Sequence, residues 1–78
     1  MLQKYIHFSR IGFILWPDTD SLAHADVALA AASDGVVSAG FVEFSRSKSP
    51  HCFGRSDSLG IASKPTDSED LAAQLYGE

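Results

Sequence analysis

On QKYIHFSRIGFILW, residues 3–16, turns how many strands the first part of the chain builds. Tyr5, Ile6, Phe8, Ile11, Phe13, Ile14 and Trp16 are β-branched or aromatic, the side chains that suit a pleated, partly buried surface. Ser9-Arg10 and Gly12 interrupt the alternation. The stretch is therefore either one long bulged strand or two strands meeting at a bend, and the long bulged strand is the preferred reading. Pro17 ends it, having no N–H to give to a ladder.

Asp18-Thr19-Asp20-Ser21 then reads as a helix start, since side-chain oxygens cap free backbone N–H groups and acids suit the positive end of the helix dipole. The helix is expected over Ser21 to Ala32, stopping before Asp34-Gly35, with Leu22, Ala25, Leu29 and Ala32 facing the sheet. Val36 to Ser45 reads as the next strand, in which Gly40 marks a bulge or a close approach. The polar turn Arg46 to Pro50 leads into a short returning strand, His51 to Arg55. Ser56 to Pro65 reads as irregular, pinned by Leu59 and Ile61. Thr66-Asp67-Ser68-Glu69 matches a capping box that opens a terminal helix through Tyr76, with Leu71 and Leu75 inward. The expected fold is α+β: a small antiparallel sheet of three strands, or four, with two helices on one face, in the order strand-helix-strand-strand-helix.

Seventy-eight residues, 45 % of them hydrophobic and 21 % charged, bound the answer to one domain of ordinary globular composition. So small a core is marginal, and together with the alanine-rich helix this makes a homodimer the expected state. The net charge of −4 speaks against a general nucleic-acid binder. The charge is uneven, however: Arg46, Lys48, Arg55 and Lys64 face only Asp57 in their stretch of chain. One cysteine, Cys52, allows no internal disulfide. No signal-peptide pattern and no membrane-spanning apolar run is present, so a cytoplasmic protein is expected.

The most site-like stretch is Gly54-Arg55-Ser56-Asp57-Ser58-Leu59-Gly60. Arg55 offers a planar fork to a carboxylate or phosphate, Ser56 and Ser58 are donors, and the glycines permit unusual backbone angles. It is not a P-loop, lacking Gly-Lys-Ser/Thr and a helix directly after it. The plainer alternative is an Arg55–Asp57 turn that joins two elements. Trp16, Tyr5 and Phe53 are candidate stacking or anchoring aromatics, although a chain this short needs them in its core. Trp16, beside Pro17 at a strand end, is expected to be partly exposed. His24 and Asp26 with His51 or Cys52 are suitable metal ligands at a spacing that matches no metal pattern, so no metal or other cofactor is assigned. Cys52 and His51 are strand neighbours and point to opposite faces, so no catalytic pair is assigned either.

Gly12-Phe13-Ile14-Leu15-Trp16-Pro17, His24-Ala25-Asp26 and the 54–60 loop, extended by Ser63-Lys64-Pro65, resemble small proteins encoded in bacteriophage and prophage genomes. The resemblance implies a bacterial cytoplasm and a small accessory role. The functional expectation is a protein-interaction module that binds a host or phage protein through Arg46, Lys48, Arg55, Ser56, Asp57, Ser58 and Trp16. The alternatives are a nucleic-acid-associated protein using the same basic loop, and a small-molecule or enzymatic domain around Cys52, His51 and His24.

Overall fold

In a computed structural model, which describes residues 2–18, 22–30, 35–46 and 49–77, the stretch 3–16 is a hairpin and not one long strand. β1 (Leu2–Phe8) and β2 (Gly12–Pro17) pair antiparallel, with Phe8 opposite Gly12 and Tyr5 opposite Leu15. Gly12 makes the bend possible, because its φ of 85° lies in the left-handed region that a side chain resists. The interruption at Ser9, Arg10 and Gly12 is thus a turn. The extra residue of a bulge is found elsewhere, where the β1 register shifts from His7–Ser38 to Phe8–Val36.

β3 (Val36–Phe44) pairs with β1, and β4 (Pro50–Phe53) pairs with β3, giving a four-stranded antiparallel sheet in the order β2-β1-β3-β4. β4 stops at Phe53, because Gly54, with φ 77°, turns the chain out of the sheet. The region expected to be irregular holds a two-stranded ribbon, β5 (Arg55–Ser56) and β6 (Ile61–Ala62). α1 (His24–Ala30) joins β2 to β3, and α2 (Asp67–Tyr76) follows the ribbon. The class is α+β as expected. The sheet has four strands, the larger of the two expected counts, and the order of strands and helices is corrected, as is the placing of both helices on one face.

The two helices cover opposite faces. Successive residues of a strand point to opposite sides, and β1 divides its side chains accordingly. Tyr5 packs with Phe13, Val42 and Leu71 of α2. Ile6 and Phe8 pack with Trp16 and Ala39 beneath Val27 and Ala28 of α1, and Leu59 and Ile61 join this second cluster. Tyr5, Ile6, Phe8, Val42 and Leu71 are fully buried, each contributing about 1.5–3 kcal/mol. A single-faced arrangement would have left one of these two clusters in water.

Local chemistry explains where both helices begin. Asp26 turns back to accept the Ala23 N–H at 2.9 Å, so α1 starts at His24 and its inward stripe is His24, Val27 and Ala28. Leu22 and Leu29, expected to face the sheet, are exposed instead. The expected helix ends at Ser21 and Ala32, with Thr19 and Asp20, lie outside the described residues. At α2 the Thr66 side chain makes no capping bond. Asp67 accepts the Lys64 N–H at 2.8 Å in its place, so the capping box is not formed. Leu71 is buried as expected, whereas Leu75 lies at the exposed rim.

α2 also closes both edges of the sheet. Its Gln74 accepts the Phe13 N–H at 2.7 Å and donates to the Phe13 carbonyl at 3.1 Å, taking the place of a partner strand on β2. At the other edge Ser68 Oγ accepts the Cys52 N–H at 2.9 Å. Pro17 and Pro50 bring no N–H to either edge. Strand addition, the usual hazard of an open edge, is blunted on both sides.

Candidate functional site

The basic loop is built mainly to hold itself. Ser56 is fully buried, and its Oγ accepts the Leu59 N–H at 3.2 Å and lies 3.3 Å from Ser58 Oγ. Ser58 Oγ in turn accepts the Ala25 N–H at 3.2 Å, a cap on the first turn of α1. Asp57 is exposed and sits 3.5 Å from Arg55 Nε, as in the plainer alternative. The serines are therefore structural, and the paired Arg55 and Asp57 are the loop's outward charges. Arg46 is exposed in the β3–β4 turn, and Lys48 lies outside the described residues. Trp16, expected to be partly exposed, is buried, its indole N–H donating to the Leu22 carbonyl at 3.0 Å. Leu22 and His24 lie against the ring, a contact that a strand-end reading could not contain.

Two groupings carry chemistry that the linear pattern did not display. The first is a ribbon of rings on the face shared with α1. Trp16 meets His24 edge-on at 5.4 Å, and His24 meets Phe41 edge-on at 5.7 Å. Phe41 and Phe53 are 6.2 Å apart, and Phe53 stacks on His51 at 5.5 Å. The buried end is fixed: the His24 Nε2–H donates to the Gly40 carbonyl at 2.8 Å, and His24 is buried. The outer end is open, with Phe53 37 % exposed and His51 exposed. Strand pairing explains the alignment, since Lys4 lies opposite both Trp16 and Phe41, and Phe41 lies opposite Phe53.

The second grouping lies on the other face, under the start of α2. Asp67 is fully buried and accepts from Tyr5 Oη at 2.5 Å, Ser38 Oγ at 2.9 Å and the Lys64 N–H. His7 stacks on Phe13 at 4.0 Å and places its Nδ1 3.8 Å from Asp67 Oδ1. Burial, then the Asp67 hydrogen bond and charge, hold the Tyr5 phenol above its ordinary titration range. Burial likewise pushes the Cys52 thiol up, to about 11. The phenol thus keeps its proton and donates to Asp67, which gathers three donors: Tyr5, Ser38 and the Lys64 N–H. The alternation of Tyr5 and His7 on one side of β1 was the sequence signal for it. Asp67 was hidden behind its resemblance to a capping residue.

The residues of the enzymatic alternative are not brought together. Cys52 packs on the α2 face, while His51 and His24 belong to the ring ribbon on the other. His24, Asp26, His51 and Cys52 form no ligand group among the described residues. With the thiol moved from 9.0 to about 11, alkylation of Cys52 by iodoacetamide at pH 8 is expected to run roughly 100-fold slower than that of an unfolded control. Equal rates, read by mass spectrometry, would show a thiol far more reactive than its burial allows.

No family model, curated protein or solved structure matches this chain. Among the described residues, no helix is long and apolar enough to cross a membrane.

Proposed function

We propose that this chain is a small protein-interaction module whose docking surface is the open end of the ring ribbon, Phe41, Phe53 and His51, with the exposed Arg46 and Arg55 from the adjoining turns as its cations. The supporting observation is the exposure of Phe53 on a ribbon anchored inside the core by His24 and Trp16. Rings held rigidly by buried neighbours give a partner large contact area with little side-chain entropy to lose, the property of interface anchors. Arginine beside such rings suits an acidic partner surface. The closed sheet edges make side-chain docking, and not strand addition, the proposed mode.

The likeness to phage-encoded proteins makes a host or phage protein in the bacterial cytoplasm the proposed partner, with occlusion or scaffolding as the mechanism. Pairing with a second copy belongs to the same proposal, and the exposed Leu22 and Leu29 beside α1 support it. The test is capture of partners from bacterial lysate by tagged protein, with and without nuclease, beside Phe53→Ser. One stoichiometric protein that survives nuclease and disappears with Phe53→Ser is the expected result. Partners that vanish with nuclease and high salt would replace it with the nucleic-acid reading, since exposed rings also stack on bases.

A further inference from the structure

We propose that His7, Asp67 and Asp70 bind one divalent first-row transition-metal ion, a site separate from the docking surface and on the opposite face of the sheet. One ligand atom from each lies within 4.8 Å of the other two. A zinc ion holds nitrogen and oxygen ligands at about 2.0–2.2 Å, which places them roughly 3.3 Å apart. The His7–Asp67 separation of 3.8 Å is already close to that, and the widest pair must close by about 1.5 Å. Asp70 stands one turn along α2 from Asp67, so both carboxylates lie on the same side of the helix.

The imidazole provides an independent observation. His7 Nδ1 is shielded from solvent and has no hydrogen-bond partner, the only such side-chain atom among the described residues. A buried ring nitrogen without a partner costs free energy that a metal bond would offset. The ring is already oriented by its stack on Phe13, at 8° between planes.

The surroundings of Asp67 are those of a held ligand. Oδ2 accepts from both Tyr5 and Lys64, whereas Oδ1 accepts from Ser38 and is the oxygen nearest His7. Oδ1 therefore keeps a lone pair for an ion, while the three donors fix the carboxylate, as outer-shell partners do around metals. The positive helix end opposes a cation, but Asp67, Glu69 and Asp70 all lie in the first turn and reverse the local field. One imidazole with two carboxylates selects zinc, iron or manganese-like ions over magnesium and calcium, which take oxygen ligands. Asp70 is exposed, so the ion would sit at the solvent end of the cluster and keep a water ligand.

The test is zinc titration of chelator-treated protein by calorimetry, with magnesium in excess, on the wild type and on Asp70→Asn. Asp70 is exposed and is chosen because its replacement leaves the buried network in place. One zinc per chain is expected, with a raised melting temperature, and the variant should bind at least about tenfold more weakly. In the presence of chelator, wild type and variant should melt together. Nitrogen NMR supplies the second readout: zinc should shift the ring nitrogens of His7 and leave those of His24 and His51 in place. Absence of binding, displacement by magnesium, undiminished binding by Asp70→Asn, or shifts at His24 or His51 in place of His7 would each overturn the site.

Discussion

Asp67→Ala is expected to destabilise the domain by about 4 kcal/mol, a third or more of its total stability. The substitution removes one carboxylate and strands three donors: the Tyr5 hydroxyl, the Ser38 hydroxyl and the Lys64 N–H. Tyr5 and Ser38 are fully buried, so water cannot take over their bonds without opening the core. A domain of this size has a total stability of only about 4–12 kcal/mol. Urea denaturation followed by circular dichroism measures the loss. Ser38→Ala, which removes one donor and leaves the carboxylate two, should cost about 1 kcal/mol and serves as the scale. A loss for Asp67→Ala as small as that would mean the network is loosely held.

Gly40→Ala should be nearly as damaging, at about 3 kcal/mol, although it adds one methyl group. A Cβ at Gly40 would collide with the Phe53 carbonyl oxygen and press on the Gly54 carbonyl group at 3.4 Å. Both are backbone, so relief requires β3 and the exit from β4 to move apart. That movement would disturb the Gly40 carbonyl, which anchors His24, and through it the ring ribbon. A fall in melting temperature of about 12–24 °C is the expected reading for a domain of this length. The surface change Gly60→Ala meets nothing within 4 Å but sits at φ 68°, so it should cost much less, about 1 kcal/mol.

These residues also show how far the sequence could be read. Gly40 was legible as a close approach because a glycine inside a β-branched strand has few other reasons to be there. The strand at Val36, the terminal helix and its buried Leu71 followed from periodicity. Residues 3–16 misled because bulge and hairpin both interrupt alternation and both accept a left-handed glycine, and only the antiparallel pairing of β1 with β2 distinguishes them. The helix faces were out of reach from pattern alone. Every strand of the sheet is apolar on both sides, so nothing local says that α1 and α2 divide between them. Trp16 was misplaced and Asp67 passed over because the partners that bury them, Leu22 and His24 for one and Tyr5 and Ser38 for the other, are distant in sequence or return from beyond a turn. Ser56 and Ser58 read as free donors, whereas their hydroxyls serve bonds within the fold.

The docking role proposed for the ring ribbon is tested most directly with Phe53→Ser. Its melting temperature and its capture of the nuclease-resistant partner should be measured on the same preparation. Phe53 is 37 % exposed, and the variant loses its ring contacts with Phe41 and His51 together with part of its buried area, so the stability cost should be about 2–3 kcal/mol. Loss of capture with the fold retained is the predicted result. Capture at the wild-type level by the folded variant would contradict the docking surface proposed for this chain.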